Sequence, residues 1–120
     1  MPRLHSSLDA VARLAQASGM DIPEQLRVFA IAWADADAKA YELEAKKDAV
    51  LNRWAKELAG DLSVAAAERE VKASQRWHDH VGEIARARHE ANKARGELDY
   101  WKAKFEAWLV AQAHAREIAA

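Results

Sequence analysis

The sequence predicts an all-α protein, with a short N-terminal helix followed by a long antiparallel helical hairpin of coiled-coil type. Alanine, the residue with the highest helix propensity, occupies 29 of the 120 positions. Four glycines and two prolines leave few places at which a helix would end. Charged residues make up 31% of the chain with both signs interspersed, as in long helices with solvated faces. The alternating patterns and hairpin turns of strands do not occur in the sequence.

The first breakpoint surrounds Gly19. This glycine suits the left-handed position that follows a helix. Asp21 suits the N-cap of the next helix, and Glu24 follows it at the three-residue spacing of a capping box. We therefore expect a short first helix over about 7–18 and the start of a second helix near residue 22.

The second breakpoint is the glycine at position 60. Gly60 is placed to close the second helix, and Ser63 is placed to cap the next one. The second helix then covers about 22–59 and the third about 64–118. At 1.5 Å per residue these helices are roughly 55 and 80 Å long, lengths that are typical of coiled-coil packing.

The spacing of apolar residues also indicates a coiled coil. In each long helix, one row of mostly apolar residues recurs every seven positions beside a companion row three places away, as at a and d positions. The linker of about four residues favours antiparallel neighbours, with Trp54 opposite Arg69 and Trp33 opposite Glu90. The rows are Leu26, Trp33, Ala40, Lys47 and Trp54 with Phe29, Ala36, Leu43 and Val50, and then Ile84, Ala91, Leu98 and Phe105 with Ala94, Trp101, Trp108 and Ala115.

The third predicted helix is longer than the second, so its last part has no partner in the second helix. This part carries the residues that we name the C-terminal aromatic stripe: Trp101, Phe105, Trp108 and Leu109. Side chains of this size need cover from the first helix, from a second copy of the chain or from another protein. Because tryptophan is enriched in binding hot spots, we predict that the stripe binds a protein partner.

Self-association is a further expectation. A two-helix hairpin with an alanine-rich interface buries little apolar area, so a dimer or larger bundle is the more stable arrangement. Trp33 and Trp54 lie on the heptad rows and are expected to fill core space. Three roles remain open for Trp101 and Trp108: they could be part of the core, of an interface between copies or of a binding site.

A cluster of cations offers a different site. We name it the basic strip, and it comprises Arg86, Arg88, Lys93, Arg95, Lys102 and Lys104. Beside Trp101, such a strip suits nucleic-acid contact, in which cations follow phosphates and an aromatic ring stacks on a base. We favour an ordinary charged face, because carboxylates interleave with the strip at ion-pairing spacings. These carboxylates are Glu83, Glu90, Glu97 and Asp99.

Composition argues against several classes of protein. Lys and Arg number 18 and Asp and Glu number 19, and this balance disfavours a protein that coats nucleic acid or an anionic membrane. The chain has no cysteine, which excludes disulfides, thiol catalysis and Cys-ligated zinc. No apolar run is long enough to span a bilayer, and the first residues do not resemble a signal peptide. We expect a single cytoplasmic domain.

We predict no enzymatic activity, cofactor or metal. His80 and Glu83 have a spacing that suits metal ligands on a helix, but His78 points away from His80 and no third ligand is at hand. Carboxylates at i,i+2 diverge on a helix, and no loop is available to shape a cleft around them. The sequence also carries no phosphate-binding glycine motif and no nucleophile elbow.

The region from Ser63 onward resembles a group of small all-helical proteins of tailed phages and prophages. It carries an E-R-x-x-x-A-S element at residues 68–74, two A-R pairs ending at Arg88 and Arg95, an F-E-A-W element at residues 105–108, and Arg116 in the tail. The resemblance covers about half of the chain. It implies a phage origin, a place in the bacterial host cytoplasm and neighbouring genes of DNA recombination and single-strand binding. It implies no established activity, so no functional residue is carried over.

These expectations favour one function and leave two alternatives. The favoured function is a non-enzymatic, phage-type adaptor or modulator that binds a recombination, replication or host-defence protein through the C-terminal aromatic stripe. The alternatives are a structural, self-assembling coiled-coil protein, and an accessory protein that contacts nucleic acid through the basic strip.

Overall fold

The computed structural model describes residues 22–119, and the all-α prediction is confirmed there, since no strand occurs in this range. The expected helix over about 7–18 and the breakpoint at Gly19 lie outside the described residues. Within the range, no helix combines the length and the apolarity that a membrane crossing requires. The helices are α1 (Ile22–Ala45), α2 (Lys47–Leu58), α3 (Val64–Ala73) and α4 (Gln75–Ala119).

These helices form two compact units. The terminal unit contains residues 22–36 of α1 and residues 90–119 of α4. The central unit contains residues 37–89. Each unit has its own cluster of buried apolar side chains.

The terminal unit is built around Phe29, which is 0% exposed. Phe29 packs with Ala94 and Leu98, and Trp101 stacks on its ring at a centroid distance of 6.5 Å. The Trp33 ring lies beneath the Arg95 guanidinium, 4.9 Å from it. Because the contacts of the later α1 residue fall earlier in α4, the two segments are antiparallel in this unit. Trp33 was expected opposite Glu90, so the register differs from the prediction.

The central unit is built where α2 packs against α3. Its buried cluster comprises Leu51, Ala55, Ala67, Val71 and Trp77. The turn between the two helices contains Gly60, whose φ of 41° lies in the left-handed region that glycine adopts without strain. The Ser63 hydroxyl then accepts a hydrogen bond from the Ala66 backbone N–H at 3.1 Å. Both predictions for this breakpoint, a helix end at Gly60 and an N-cap at Ser63, are confirmed.

The structure divides the predicted helix over about 64–118 at Ser74. This residue is extended, with φ −80° and ψ 153°, so α3 ends before it and α4 begins after it. Its hydroxyl donates to the Val71 carbonyl at 2.6 Å and accepts from the Trp77 backbone N–H at 3.2 Å. One side chain therefore satisfies backbone groups of both helices. The turn also brings Trp77 of α4 against Trp54, a contact that the prediction did not include.

Replacing Ser74 with alanine is expected to lower the free energy of unfolding by about 1 kcal/mol, the typical cost of losing an N-cap. Ser74→Asp keeps an oxygen that accepts from the Trp77 N–H, and it should recover most of that loss. Urea denaturation followed by circular dichroism measures both variants. Equal losses in the two variants would show that the cap does not stabilise this junction.

The predicted helix over about 22–59 is divided at Lys46. The division is slight, because the backbone of Lys46 stays in the helical region and hydrogen bonds continue across it, from Lys46 N–H to Glu42 C=O and from Val50 N–H to Lys46 C=O. Beyond it, full burial shifts by one residue, to Leu51 and Ala55, whereas the predicted Val50 and Trp54 are half-buried against the same cluster. This shift explains why Lys47, expected inside the apolar row, is exposed.

Candidate partner-binding surface

The first residue of the C-terminal aromatic stripe belongs partly to the core. Trp101 is half-buried, and its ring is nearly parallel to that of Phe29, with an interplanar angle of 12°. Tyr100, which was not included in the predicted stripe, meets Trp101 edge-on at 5.2 Å. Lys104 completes this group, with its Nζ 5.6 Å from the centroid of each ring. The position of Tyr100 directly before Trp101 is the sequence feature from which this contact could have been predicted.

The next residues of the stripe emerge from the core. Phe105 is half-buried and stacks on Trp108 at 5.9 Å and 21°. Trp108 is 43% exposed and Leu109 45% exposed, although side chains of this size usually lose most of their contact with water. Every described residue after Phe105 is exposed. The stripe is therefore covered at Trp101 and open at Trp108.

The open part of the stripe continues the covered face of the same helix. Ala94, Leu98 and Trp101 contact α1 within the terminal unit, and they are spaced by four and three residues. Phe105 and Trp108 follow Trp101 at spacings of four and three. Positions with this spacing share one face of a helix. The face of α4 that α1 covers at Trp101 thus continues through the half-buried Phe105 to Trp108, which is 43% exposed.

The basic strip is divided by its contacts. In the central unit, Arg88 forms two hydrogen bonds to the Glu44 carboxylate, at 2.8 and 2.7 Å, and one to Asp37 at 2.8 Å. In the terminal unit, Arg95 pairs with Asp99 at 3.2 Å and lies over the Trp33 ring. The predicted pairing at helical i,i+4 spacing thus occurs at Arg95.

The remaining strip residues differ from one another. Lys93 is half-buried, and Lys104 lies over aromatic rings as described. Arg86 and Lys102 are exposed and form no ion pair with any described carboxylate. The strip is therefore not a row of unpaired cations, because its two best-placed guanidinium groups already bind carboxylates of this chain.

The pKa values around Arg88 follow from these hydrogen bonds. The guanidinium donates to Glu44 and holds the pKa of that carboxyl below its usual value of 4.5. The same bonds, first to Glu44 and then to Asp37, raise the pKa of Arg88. The Lys46 ammonium similarly lowers the pKa of Glu42, to which it donates a hydrogen bond at 2.7 Å.

Glu44→Gln is expected to be less stable than the wild type at neutral pH and equally stable in acid. A carboxyl whose pKa is lowered by folding contributes stability above its unfolded value, and the contribution disappears as the pH falls through the folded value. Urea denaturation between about pH 3 and pH 7 measures the difference. Glu70→Gln is the control, because Glu70 is exposed and forms no ion pair within the described part of the chain. A Glu44→Gln deficit that stayed constant with pH would contradict the contact.

The central unit holds a second aromatic group that the sequence did not reveal. Trp54 meets Trp77 edge-on at 6.1 Å and His80 at 5.4 Å. The Arg76 guanidinium lies 3.8 Å over the Trp54 ring and pairs with Glu57 at 3.1 Å. Heptad spacing placed Trp54 correctly towards the interior, but the contact with Trp77 depends on the turn at Ser74.

A small cavity of about 160 Å³ adjoins this aromatic group. Apolar side chains form most of its wall, and its charged residues, Glu57 and Arg76, pair with each other. It therefore lacks the convergent polar groups that orient a small ligand. Its lining consists of Trp54, Glu57, Leu58, Val71, Ser74 and Arg76.

The histidines do not form a metal site in the described part of the chain. His80 packs against both Trp54 and Trp77, and its Nδ1 is 4.0 Å from the Glu83 carboxylate. Nowhere between residues 22 and 119 do three histidine, aspartate or glutamate side chains assemble as metal ligands.

Comparisons of the chain with protein-family models, with curated proteins and with solved structures found no match.

Proposed function

We propose that this protein is a non-enzymatic adaptor or modulator that binds a partner protein through the C-terminal aromatic stripe. The observation that carries the proposal is the exposure of Trp108 and Leu109 in continuation of a covered helix face. Two large apolar residues beside a half-buried phenylalanine form the kind of patch that proteins use for binding.

The partner element that fits this surface is an amphipathic helix. Upstream, the same face of α4 is covered by the helical residues 22–36, which pack on Ala94, Leu98 and Trp101. The spacing of Phe105 and Trp108 continues that face without a change of pattern. A surface shaped to receive one helix is suited to a second helix that follows the same line.

The resemblance of residues 63–118 to phage helical proteins directs the search for this partner. Recombination, replication and host-defence proteins of a bacterial host are the classes to be tested first. The contacts of Arg88 and Arg95 make nucleic acid the weaker candidate, because binding phosphate would compete with carboxylates that are already bound.

The test compares three forms of the full chain as bait in host lysate: wild type, a Trp108→Ala/Leu109→Ala double variant and Val110→Ala. Val110 is the matched control, since it is 70% exposed and lies on the opposite face of the helix. Each capture is repeated after nuclease treatment. The captured protein is then purified, and the binding of its helical segment to each bait is measured by isothermal titration calorimetry.

We expect a nuclease-resistant partner that binds wild type and Val110→Ala and is lost in the double variant, with helix content unchanged. Retention by the double variant would remove the stripe as the site. Capture lost with nuclease would favour the basic strip and nucleic acid. If only copies of the chain itself associate, as measured by light scattering, the structural self-assembly alternative would replace the adaptor.

A further inference from the structure

The charges around the C-terminal aromatic stripe are segregated by sign. Two edges border the stripe, and each is a row of positions seven residues apart. One edge carries Lys102 and Arg116, in the row that also contains Leu109 of the stripe, and the other carries Lys104, Ala111 and Ile118. All of these side chains are exposed.

The carboxylates of the same segment lie elsewhere. Glu117 follows Val110 by seven residues and shares its face of the helix, which at about 100° of rotation per residue is opposite the stripe. Glu106 lies between that face and Lys102, four residues from each, so it is outside the rows that form the edges. Every charged residue at the edges of the stripe between residues 102 and 119 is therefore a cation.

These edge cations are not neutralised by the described part of the chain. Lys102, Lys104 and Arg116 form no ion pair with any carboxylate between residues 22 and 119. By contrast, Arg88 and Arg95 of the basic strip are both paired. Lys104 lies near the ring faces of Tyr100 and Trp101, which holds its ammonium beside the stripe.

We propose that the helix received by the stripe is acidic, with an apolar face bordered on both sides by Glu or Asp. This inference rests on the proposed function, because it specifies the partner of the same surface. Apolar residues of the partner would pack on Phe105, Trp108 and Leu109. Its carboxylates would lie along the edges, where ion pairs at the rim of an interface select the partner and its orientation.

The same charges argue against a second copy of the chain as the occupant. Two copies that met through residues 102–119 would bring only cations to the edges of their interface. Like charges placed across an interface are destabilising. An acidic helix meets the same edges with opposite charge, so it is the occupant that these edges favour.

The test uses the purified full chain and two synthetic amphipathic helices of about 21 residues, three heptads in length. Both peptides carry the same leucine face, one with Glu at every edge position and the other with Lys. Affinities are measured by fluorescence anisotropy. We expect the Glu peptide to bind about tenfold or more tightly than the Lys peptide, with the difference shrinking as salt is raised.

A charge reversal on the protein tests the same contact from the other side. Lys104→Glu should weaken the binding of the Glu peptide about tenfold and strengthen the binding of the Lys peptide. The control is the double variant Ala103→Glu/Val110→Glu, which makes the same change in net charge on the opposite face. It should leave both affinities nearly unchanged, because its new charges lie away from the stripe.

The outcomes separate this inference from the proposed function. If both peptides bind equally and both are lost in Trp108→Ala/Leu109→Ala, helix docking stands and the acidic preference is wrong. Equal effects of Lys104→Glu and its control would also overturn the preference. If neither peptide binds while a captured partner still requires Trp108 and Leu109, the adaptor stands and an acidic helix is not its ligand. Loss of both kinds of binding would overturn both proposals.

Discussion

Replacing Phe29 with alanine is expected to lower the free energy of unfolding by about 3–5 kcal/mol. Phe29 is fully buried in the terminal unit, between Ala94 and Leu98 and under the Trp101 ring. Its neighbours include alanine side chains, which are too short to fill the space that the ring would leave. The loss of stability therefore has two parts. The ring no longer contributes the free energy of its transfer out of water, and a cavity remains where it was.

Ile31→Ala is the control for this prediction. Ile31 lies on the same helix and in the same unit, but its side chain is exposed. Ile31→Ala should lower the free energy of unfolding by no more than about 0.5 kcal/mol, as most surface substitutions do. Denaturant titrations of the two variants measure the difference. A Phe29→Ala loss as small as that of Ile31→Ala would show that the ring is not at the centre of this core.

Trp77→Ala is expected to have an effect of similar size in the central unit, about 3–5 kcal/mol. The Trp77 side chain is buried against Leu51 and Val71 and meets the Trp54 ring edge-on, a favourable geometry for aromatic pairs. Its removal opens a cavity in the only large cluster described for this unit. The substitution also removes one of the two aromatic rings that contact His80.

Tyr41→Ala provides the comparison within the central unit, since Tyr41 is also a large aromatic residue but is exposed. We expect little loss from it in the same denaturant titration. Trp77→Phe keeps much of the apolar area and should fall between the two. An ordering in which Tyr41→Ala is the most destabilising would refute the assignment of Trp77 to the core.

The parts of the fold that local chemistry determines were predictable from the sequence. Helix content follows from the abundance of alanine and the scarcity of glycine and proline. The turn at Gly60 and the cap at Ser63 follow from what a glycine and a serine do at helix ends. The buried positions Phe29 and Ala40 follow from heptad spacing.

The break at Ser74 was not predictable in the same way. Ser74 lies three residues from both Val71 and Trp77, so it fits the apolar row of a continuous helix. A serine hydroxyl can cap a helix or face its neighbours within one, and no glycine or proline stands nearby to decide. The choice is made by packing, because the turn at Ser74 lets Trp77 reach the cluster around Leu51 and Val71.

The helix face that carries the candidate site was predictable from the sequence, but the contacts around it were not. The C-terminal aromatic stripe follows from periodicity along one helix, and the exposure of Trp108 agrees with a helix that extends beyond its cover. The pairing of Arg88 with Glu44 joins residues 44 positions apart. Such a contact depends on the register between two helices, and that register differs from the prediction.

The uneven exposure of the five tryptophans gives this protein an intrinsic optical reporter. Four of them, at positions 33, 54, 77 and 101, are buried or half-buried, whereas Trp108 is exposed. We therefore expect the red-shifted part of the emission spectrum to originate mainly from the indole of Trp108. A ligand that covered this indole would shift its emission to shorter wavelength, so the proposed binding can be tested by fluorescence of the unlabelled protein.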